Sequence, residues 1–548
     1  MGVFDLKRSL VALLACALLA SGCSKVGPSA SSGRINNWTV PHVLRFANAE
    51  DINTLNPMFS QQETVGYLSS MTAAFLIKWN HHNLPYPELA TAVPTQANGG
   101  VSKDGLTITY HLRNGLRWSD GQPLTADDVV WTYHAIMNPA NNITSRAGWD
   151  LITSVDEPNK TTVVFHLRKP YSPFITTFFS SAAANPSILP KHLLAKYPNI
   201  NHVPFNSLPV GAGPFEYKEW VRSQRVVMVP NPYYFRGQPK LKEVVFEIIP
   251  SRDTIFTELA AKELDLWAHV GGAYTARIND LPGYAVLRQV AYLWGHIDFN
   301  LSHPVVADPV VRHAIELATD RRTLIDKFAR GAGYLQEGIA PRTAPYYDPN
   351  IPLVPFDIAQ ANKLLDADGW VRGSDGMREK NGLKLIINFV LPTGSQNVED
   401  QVELLRADWK KIGVQINLKK YPAPMIFGGY ADGGILLTGK FDAILFDWGD
   451  DPIGDFSFLY GCDAIPPNGQ NDLHWCDPKA NAAVHAVWGH YDQAQRNADD
   501  RILFQELAKE RPQITYMGVQ EGYIYNKDLK NFDPNGVSPF DSIMNVDI

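Results

Sequence analysis

Clustered positive charge is missing from this chain. It carries 49 Lys and Arg against 56 Asp and Glu, a formal charge of −7, and no basic run or stripe, which argues against a nucleic-acid partner. Long apolar runs are missing too, apart from Leu10–Ala20, which is too short to span a bilayer as a stable helix. Cysteine is scarce: Cys16, Cys23, Cys462 and Cys476 are all there are. No G-x-S-x-G elbow occurs. The one near-match to a phosphate loop, Gly434-Ile435-Leu436-Leu437-Thr438-Gly439-Lys440, is followed by Phe441 where a metal-holding hydroxyl belongs, and it leads into a strand instead of a helix. These absences speak against an enzyme.

What is there describes a soluble, ordered protein. Hydrophobic residues at 45%, charged at 19% and aromatic at 11% are ordinary globular values, and 548 residues are too many for one core, so two or three lobes are expected. The 22 Tyr and 13 Trp leave enough rings for a stacking pocket.

The N-terminus reads as an export address. Lys7-Arg8 precedes the apolar run, and Leu19-Ala20-Ser21-Gly22-Cys23 resembles a bacterial lipobox, in which the Cys is lipidated and becomes the new N-terminus. Ser24 to Gly33, rich in Ser, Gly, Pro and Ala, reads as a flexible tether. With Cys16 in the leader and Cys23 lipidated, Cys462 and Cys476 are the pair left in the body, and an exported pair tends to be oxidised. Closing so short a loop is worth roughly 3 kcal/mol. A metal site from Cys462, His474 and Cys476 is the alternative. His81-His82, His485 and His490 read as surface or packing residues, and no cofactor or metal is expected.

Alternation and capping signals place the elements. Leu106 to Leu112 alternates as a half-buried strand, and Thr125 with Asp128 forms a capping box flanked by Leu124 and Val129. Other strands fall at Val43 to Ala47, Val163 to Leu167, Arg225 to Val229, Val244 to Ile249 and Tyr292 to Asn300, with a helix from Thr254 to Leu264. Asp308 followed by Pro309, and Asp357 backed by Gln360, start helices. Strand Leu385 to Val390, a helix carrying Val398, Val402, Leu405, Trp409 and Ile412, and strand Val414 to Leu418 make a crossover unit with parallel strands, which the run at Phe441 can join. A long helix covers Asp492 to Arg511, and a last strand, Tyr516 to Tyr525, crosses back to the first lobe as part of a hinge.

The stretch Phe441 to Cys476 is the candidate site. Asp447-Trp448-Gly449-Asp450-Asp451-Pro452 meets the end of an apolar strand, where open α/β sheets hold ligands, so acids and an indole there suit a cationic or amine-bearing solute. Gly211-Ala212-Gly213-Pro214 offers a hinge or a tight backbone approach.

Several blocks together resemble the extracytoplasmic solute-binding proteins of the oligopeptide, dipeptide and nickel group (family 5) that serve ATP-driven importers. They are Tyr110-His111-Leu112-Arg113-Asn114-Gly115-Leu116-Arg117-Trp118-Ser119-Asp120-Gly121 with Thr125-Ala126-Asp127-Asp128-Val129, then Gly211 to Phe215, Arg312 to Ile315 with Thr319-Asp320-Arg321, and Trp409 to Val414. The resemblance runs from about Val43 to about Tyr525. It implies an α/β fold, a two-lobed periplasmic-binding-protein clamp of type II with an extra subdomain inserted in the N-terminal lobe. The divisions expected are 1–22 signal peptide, 23–40 lipidated Cys23 and tether, 41–85, 210–288 and 516–548 N-terminal lobe, 86–209 inserted subdomain, and 289–515 C-terminal lobe.

The dipeptide-binding branch looks most similar, since a like cysteine pair follows its acidic loop. The resemblance implies that Asp447 or Asp450 meets a peptide ammonium; beside it, Trp448 with Trp294 or Tyr292 reads as lining side-chain pockets, core packing being the equal reading of these aromatics, and the Gly211 to Gly213 backbone as bonding the ligand. It also implies an ABC permease and ATPase as partners of a monomer held at the cell envelope by its lipid. Leu391-Pro392-Thr393-Gly394-Ser395-Gln396 lacks the Arg that dipeptide-selective members carry there, which opens the site to longer peptides. A non-peptide solute (metal chelate, opine, haem or sugar) and an exported peptide-binding chaperone or sensor are the other readings.

Overall fold

Two long strands, Tyr284–Phe299 and Gln513–Asn526, run antiparallel side by side and carry the other elements on their edges. The computed structural model describes residues 35–548 except 61, 147, 183–185, 431–432 and 450–451. The signal peptide, Cys23, the tether to residue 34 and Asp450 therefore lie outside the described residues. Within the two-strand ribbon the register breaks between Val290 and Trp294. On one side of the break Leu266–Val270 pairs with Gln513–Asn526, and on the other Ala443–Gly449 pairs with Tyr284–Phe299. One mixed sheet thus serves both lobes.

Beyond Leu266–Val270 come Val43–Asn48, parallel to it, and then Glu243–Ile248, Arg225–Pro230 and Phe215–Val221. Leu44, Phe46, Phe246 and Leu266 make the centre of this lobe's core. Beyond Ala443–Gly449 come Ile386–Pro392 and Gln415–Tyr421, all three parallel, as the crossover reading requires. Helix Gln396–Lys410 connects two of them and buries Val402, Leu405 and Trp409 completely. Trp409 also donates from Nε1 to the Thr319 hydroxyl at 3.1 Å, so truncating it to Ala removes roughly 3–5 kcal/mol of packing.

The inserted subdomain is built on a three-stranded antiparallel sheet, Thr107–His111, Thr162–Leu167 and Ile152–Asn159, covered by helix Ala126–Met137. Both halves of the Thr125/Asp128 capping box form, and Leu124 and Val129 are buried beside it. The caps at Asp308 and Asp357 also form.

Several boundaries differ from the sequence reading, among them the strand expected to stop at Phe446, which runs through Asp447 to Gly449. The strand expected from Tyr292 starts at Tyr284, and the one expected from Tyr516 starts at Gln513, because both change environment where they pass between lobes and their burial pattern does not keep one period. The helix expected over Thr254 to Leu264 is Arg252–Ala261, started by the Ser251 side chain and ended by Lys262 in the left-handed region at φ 69°. Among the described residues no helix is long and apolar enough to cross a membrane.

Candidate ligand-binding site

Asp447 stands on strand Ala443–Gly449 close to the register break, paired with Gly295 across the ladder. A Cβ added at Gly295 would lie 3.0 Å from Asp447 Oδ1 and 2.8 Å from the Tyr516 ring, so this glycine is what lets the carboxylate and the phenol approach. The Asp447 side chain is reached by solvent yet surrounded by protein. Burial among that mass pushes its carboxyl above the usual range, and His296 draws it partly back. Asp447 in turn raises the already buried Tyr516 phenol. A carboxylate so placed is improved by an incoming cation.

Neighbouring residues divide between the two faces of the sheet. Successive strand residues point to opposite sides, so Trp448 does not share a face with Asp447; it lies beside Phe446 at 5.4 Å, and Phe446 beside the exposed Phe427 at 5.7 Å. Trp294 and Tyr292 are 0% and 3% exposed and pack in the core with Tyr346 and Phe456, so neither offers the open face expected of a pocket wall. Gly211 and Gly213 are corrected as well. A Cβ at Gly211 would fall 1.9 Å from Thr72 O and one at Gly213 2.5 Å from Met71 O. Gly213 N donates to Thr72 O, Asn231 Nδ2 to Gly213 O and Ser119 N to Gly211 O. The close approach is to the end of helix Glu63–Thr72, and Gly213 N, Gly213 O and Gly211 O are taken up by Thr72, Asn231 and Ser119.

Cys462 and Cys476 form a disulfide, so their sulfurs hold no metal. Inside its loop Asn471, fully buried, donates to Gly461 O and Trp475 O. The loop covers a polar stripe of strand Tyr284–Phe299, in which His296 and Asp298 are buried with Nε2 and Oδ2 3.2 Å apart. Burial and the nearby Asp298 push the Asp472 carboxyl well up. His81, His485 and His490 each pair with a carboxylate, Asp533, Asp463 and Asp499, as surface residues would.

Across the break, the N-terminal lobe presents a group that the sequence did not flag: Glu63, His269 and Glu521. They come from a helix start and two different strands, so no spacing announces them. His269 Nδ1 lies 3.1 Å from Glu63 Oε1 and 3.7 Å from Glu521 Oε1. The hydrogen bond to Glu63 raises the imidazole to about 9 against the pull of burial, while burial and the neighbouring Glu63 raise Glu521 to about 7.

The inserted subdomain meets the C-terminal lobe directly. Ser172 Oγ donates to Val487 O at 2.7 Å and Ser172 N to Trp488 O at 2.9 Å. Tyr171 is edge-on to Trp488 at 5.4 Å, and Lys169 Nζ sits 4.0 Å over the same indole. A cavity of about 220 Å³ lies just inside, lined by Trp79, Phe174, Pro452 and Ile453 among others. Two lobes joined by a ribbon, with the inserted subdomain of one touching the other, make a clamp.

That class of protein has a family. The chain matches bacterial extracellular solute-binding proteins, family 5, middle region, over residues 85–468, and it belongs to that family. Protein XP55 of Streptomyces lividans is 29% identical over 79% of this chain and 75% of its own length. The oligopeptide-binding protein AppA of Bacillus subtilis is 23% identical over 96% of this chain and 97% of its own. The crystal structure of NikA from Brucella suis in complex with Fe(III)-EDTA shares the fold at a TM-score of 0.78 and 21% identity, covering 92% of this chain and 99% of that one. The chain is a binding protein and not an enzyme.

Proposed function

We propose that this protein is the lipid-anchored receptor of an ABC importer, capturing peptides between its lobes and handing them to a membrane permease with its ATPase. The observation that carries the peptide reading is Asp447, a carboxylate held beside Gly295 and Tyr516 at the waist of the clamp, where a peptide ammonium would relieve its desolvation. The name of the Bacillus subtilis relative supports the same ligand class. Asp450 is the alternative candidate for that role, while Trp448 with Phe446 lies on the other face of the sheet. With no Arg in Leu391 to Gln396, the far end of the peptide is left open, and chains longer than two residues fit the reading. The protein acts as a monomer, divided as 41–85, 210–288 and 516–548 for one lobe, 86–209 for the insert and 289–515 for the other. Cys23 carries the lipid that keeps it at the cell envelope after residues 1–22 are removed.

Mass spectrometry of whatever is released on denaturing gently purified protein tests this directly. A ladder of short peptides is the expected result, and replacing Asp447 and Asp450 together by Asn should weaken peptide binding more than tenfold with the fold intact. A single non-peptide mass, or unchanged affinity in the double variant, would sink the assignment.

A further inference from the structure

We propose that Glu63, His269 and Glu521 form a binding site for a divalent first-row metal ion of the zinc or nickel type. The site goes beyond the peptide reading and does not depend on it.

Geometry supplies the first argument. A tetrahedral ion bound at about 2.1 Å holds its ligand atoms about 3.4 Å from one another. The observed separations of 3.1 Å and 3.7 Å from His269 Nδ1 to the two carboxylates bracket that value, and all three ligand atoms lie within 4.8 Å of each other. One imidazole with two carboxylates is a mixed N,O donor set that suits zinc or nickel better than calcium or magnesium.

The surroundings supply the second. Tyr67 and Tyr523, 3% and 0% exposed, donate their hydroxyls to Glu63 Oε1 and Glu521 Oε2. Two buried phenols are thus committed to orienting two carboxylates, the outer-sphere arrangement that fixes metal ligands. His269 itself is turned in by a left-handed backbone at φ 55°, at the irregularity between Trp267 and Val270 of its strand.

Access supplies the third. The side chains are 43%, 37% and 12% exposed for Glu63, His269 and Glu521, so an ion can enter and keep coordination positions open. Glu521 is four residues along its strand from Met517, which pairs with Gly295 in the row of Asp447. That is on the order of 13 Å at strand rise. A bound ion would lie that far along the strand from the row of Asp447, with open positions that a donor atom of a solute can complete.

Isothermal titration of EDTA-stripped protein with zinc chloride and, separately, nickel chloride tests the site. One equivalent should bind, Glu521→Gln and His269→Asn should each weaken it at least tenfold, and His81→Gln with His82→Gln should leave it unchanged. Thermal melts establish that the variants fold, and Glu63→Gln, at an exposed helix start, serves if His269→Asn does not. No saturable binding, or binding that survives Glu521→Gln and Glu63→Gln but is lost with the His81 and His82 pair, would overturn the proposal. Peptide binding measured in EDTA separates this result from the peptide reading, since it should persist without metal.

Discussion

Tyr491 Oη donates to Gly105 O at 2.8 Å and accepts from Tyr171 N at 3.0 Å, so one hydroxyl ties the C-terminal lobe to two turns of the inserted subdomain. A Cβ on Gly105 would lie 2.5 Å from the Tyr491 ring, and Gly105 has φ of 70°, so both the space and the backbone there are reserved for a residue without a side chain.

Removing that hydroxyl should loosen the clamp. Tyr491→Phe gives up two hydrogen bonds across this contact, about 1–2 kcal/mol, so the balance should move roughly 5- to 30-fold toward forms in which the contact is open. Small-angle scattering should show a larger radius of gyration in the absence of ligand, with the melting temperature little changed. An identical scattering profile would mean the contact does not bias closure.

Gly295→Ala addresses the waist. The new methyl must displace Tyr516 or Asp447, and because Gly295 lies in a two-sided ladder the backbone cannot give way easily. Ligand affinity should fall about tenfold or more, while stability falls by roughly 1–3 kcal/mol, the usual cost of overpacking. Calorimetry and urea unfolding read the two separately, and affinity at the native level would remove Asp447 from the site.

Losing the disulfide should cost stability without altering the remote lobe. Cys462→Ser with Cys476→Ser frees a loop whose ends are 14 residues apart, and roughly 3 kcal/mol is expected from chain entropy. Denaturant midpoints of the oxidised protein and the variant provide the check, and coincident midpoints would show that Asn471 and the buried loop contacts suffice.

A pH signature is expected from Asp541. Its buried carboxyl is pushed up to about 6 by desolvation, against the pull of Lys78, Ser181 Oγ and Trp79 N. A carboxyl raised in the folded state stabilises fully below its unfolded value near 3.8, and that contribution is lost as pH rises through about 6. Relative to Asp541→Asn, the native protein should therefore lose stability between about pH 4 and pH 6.5, measured as the difference in melting temperature. A flat difference would place the Asp541 pKa near its unfolded value.

Local signals carried much of the fold. Capping boxes, Pro at helix starts and strict alternation act over a few residues, so the elements around Thr125, Asp308, Asp357 and Leu385 were readable from the chain alone. The two crossing strands were read too short because each has two environments along its length, and no single period describes it. The site was harder. Asp447 reads as an acid just past an apolar strand, but the strand runs on through it to Gly449, and its facing partners Gly295 and Tyr516 are brought in by strand register, which residue spacing does not encode. Trp294 and Tyr292 looked like pocket walls because an aromatic residue is equally good at lining a cleft and filling a core. Gly211 and Gly213 read as a hinge or as backbone that approaches a ligand, but the close approach is to the carbonyls of Met71 and Thr72, which residue spacing does not announce.

The two-strand ribbon sets the mechanics of the molecule. Its strands are hydrogen-bonded to each other on both sides of the register break, so one lobe cannot swivel about a single strand without tearing bonds to the other. Flexing out of the sheet leaves those bonds in place, as in a leaf spring. The lobes are thereby left few ways to move against each other, and on the proposed reading cargoes of different size and sequence would converge on a single outer contour. Whatever reads that contour is told that the clamp is loaded, and not with what.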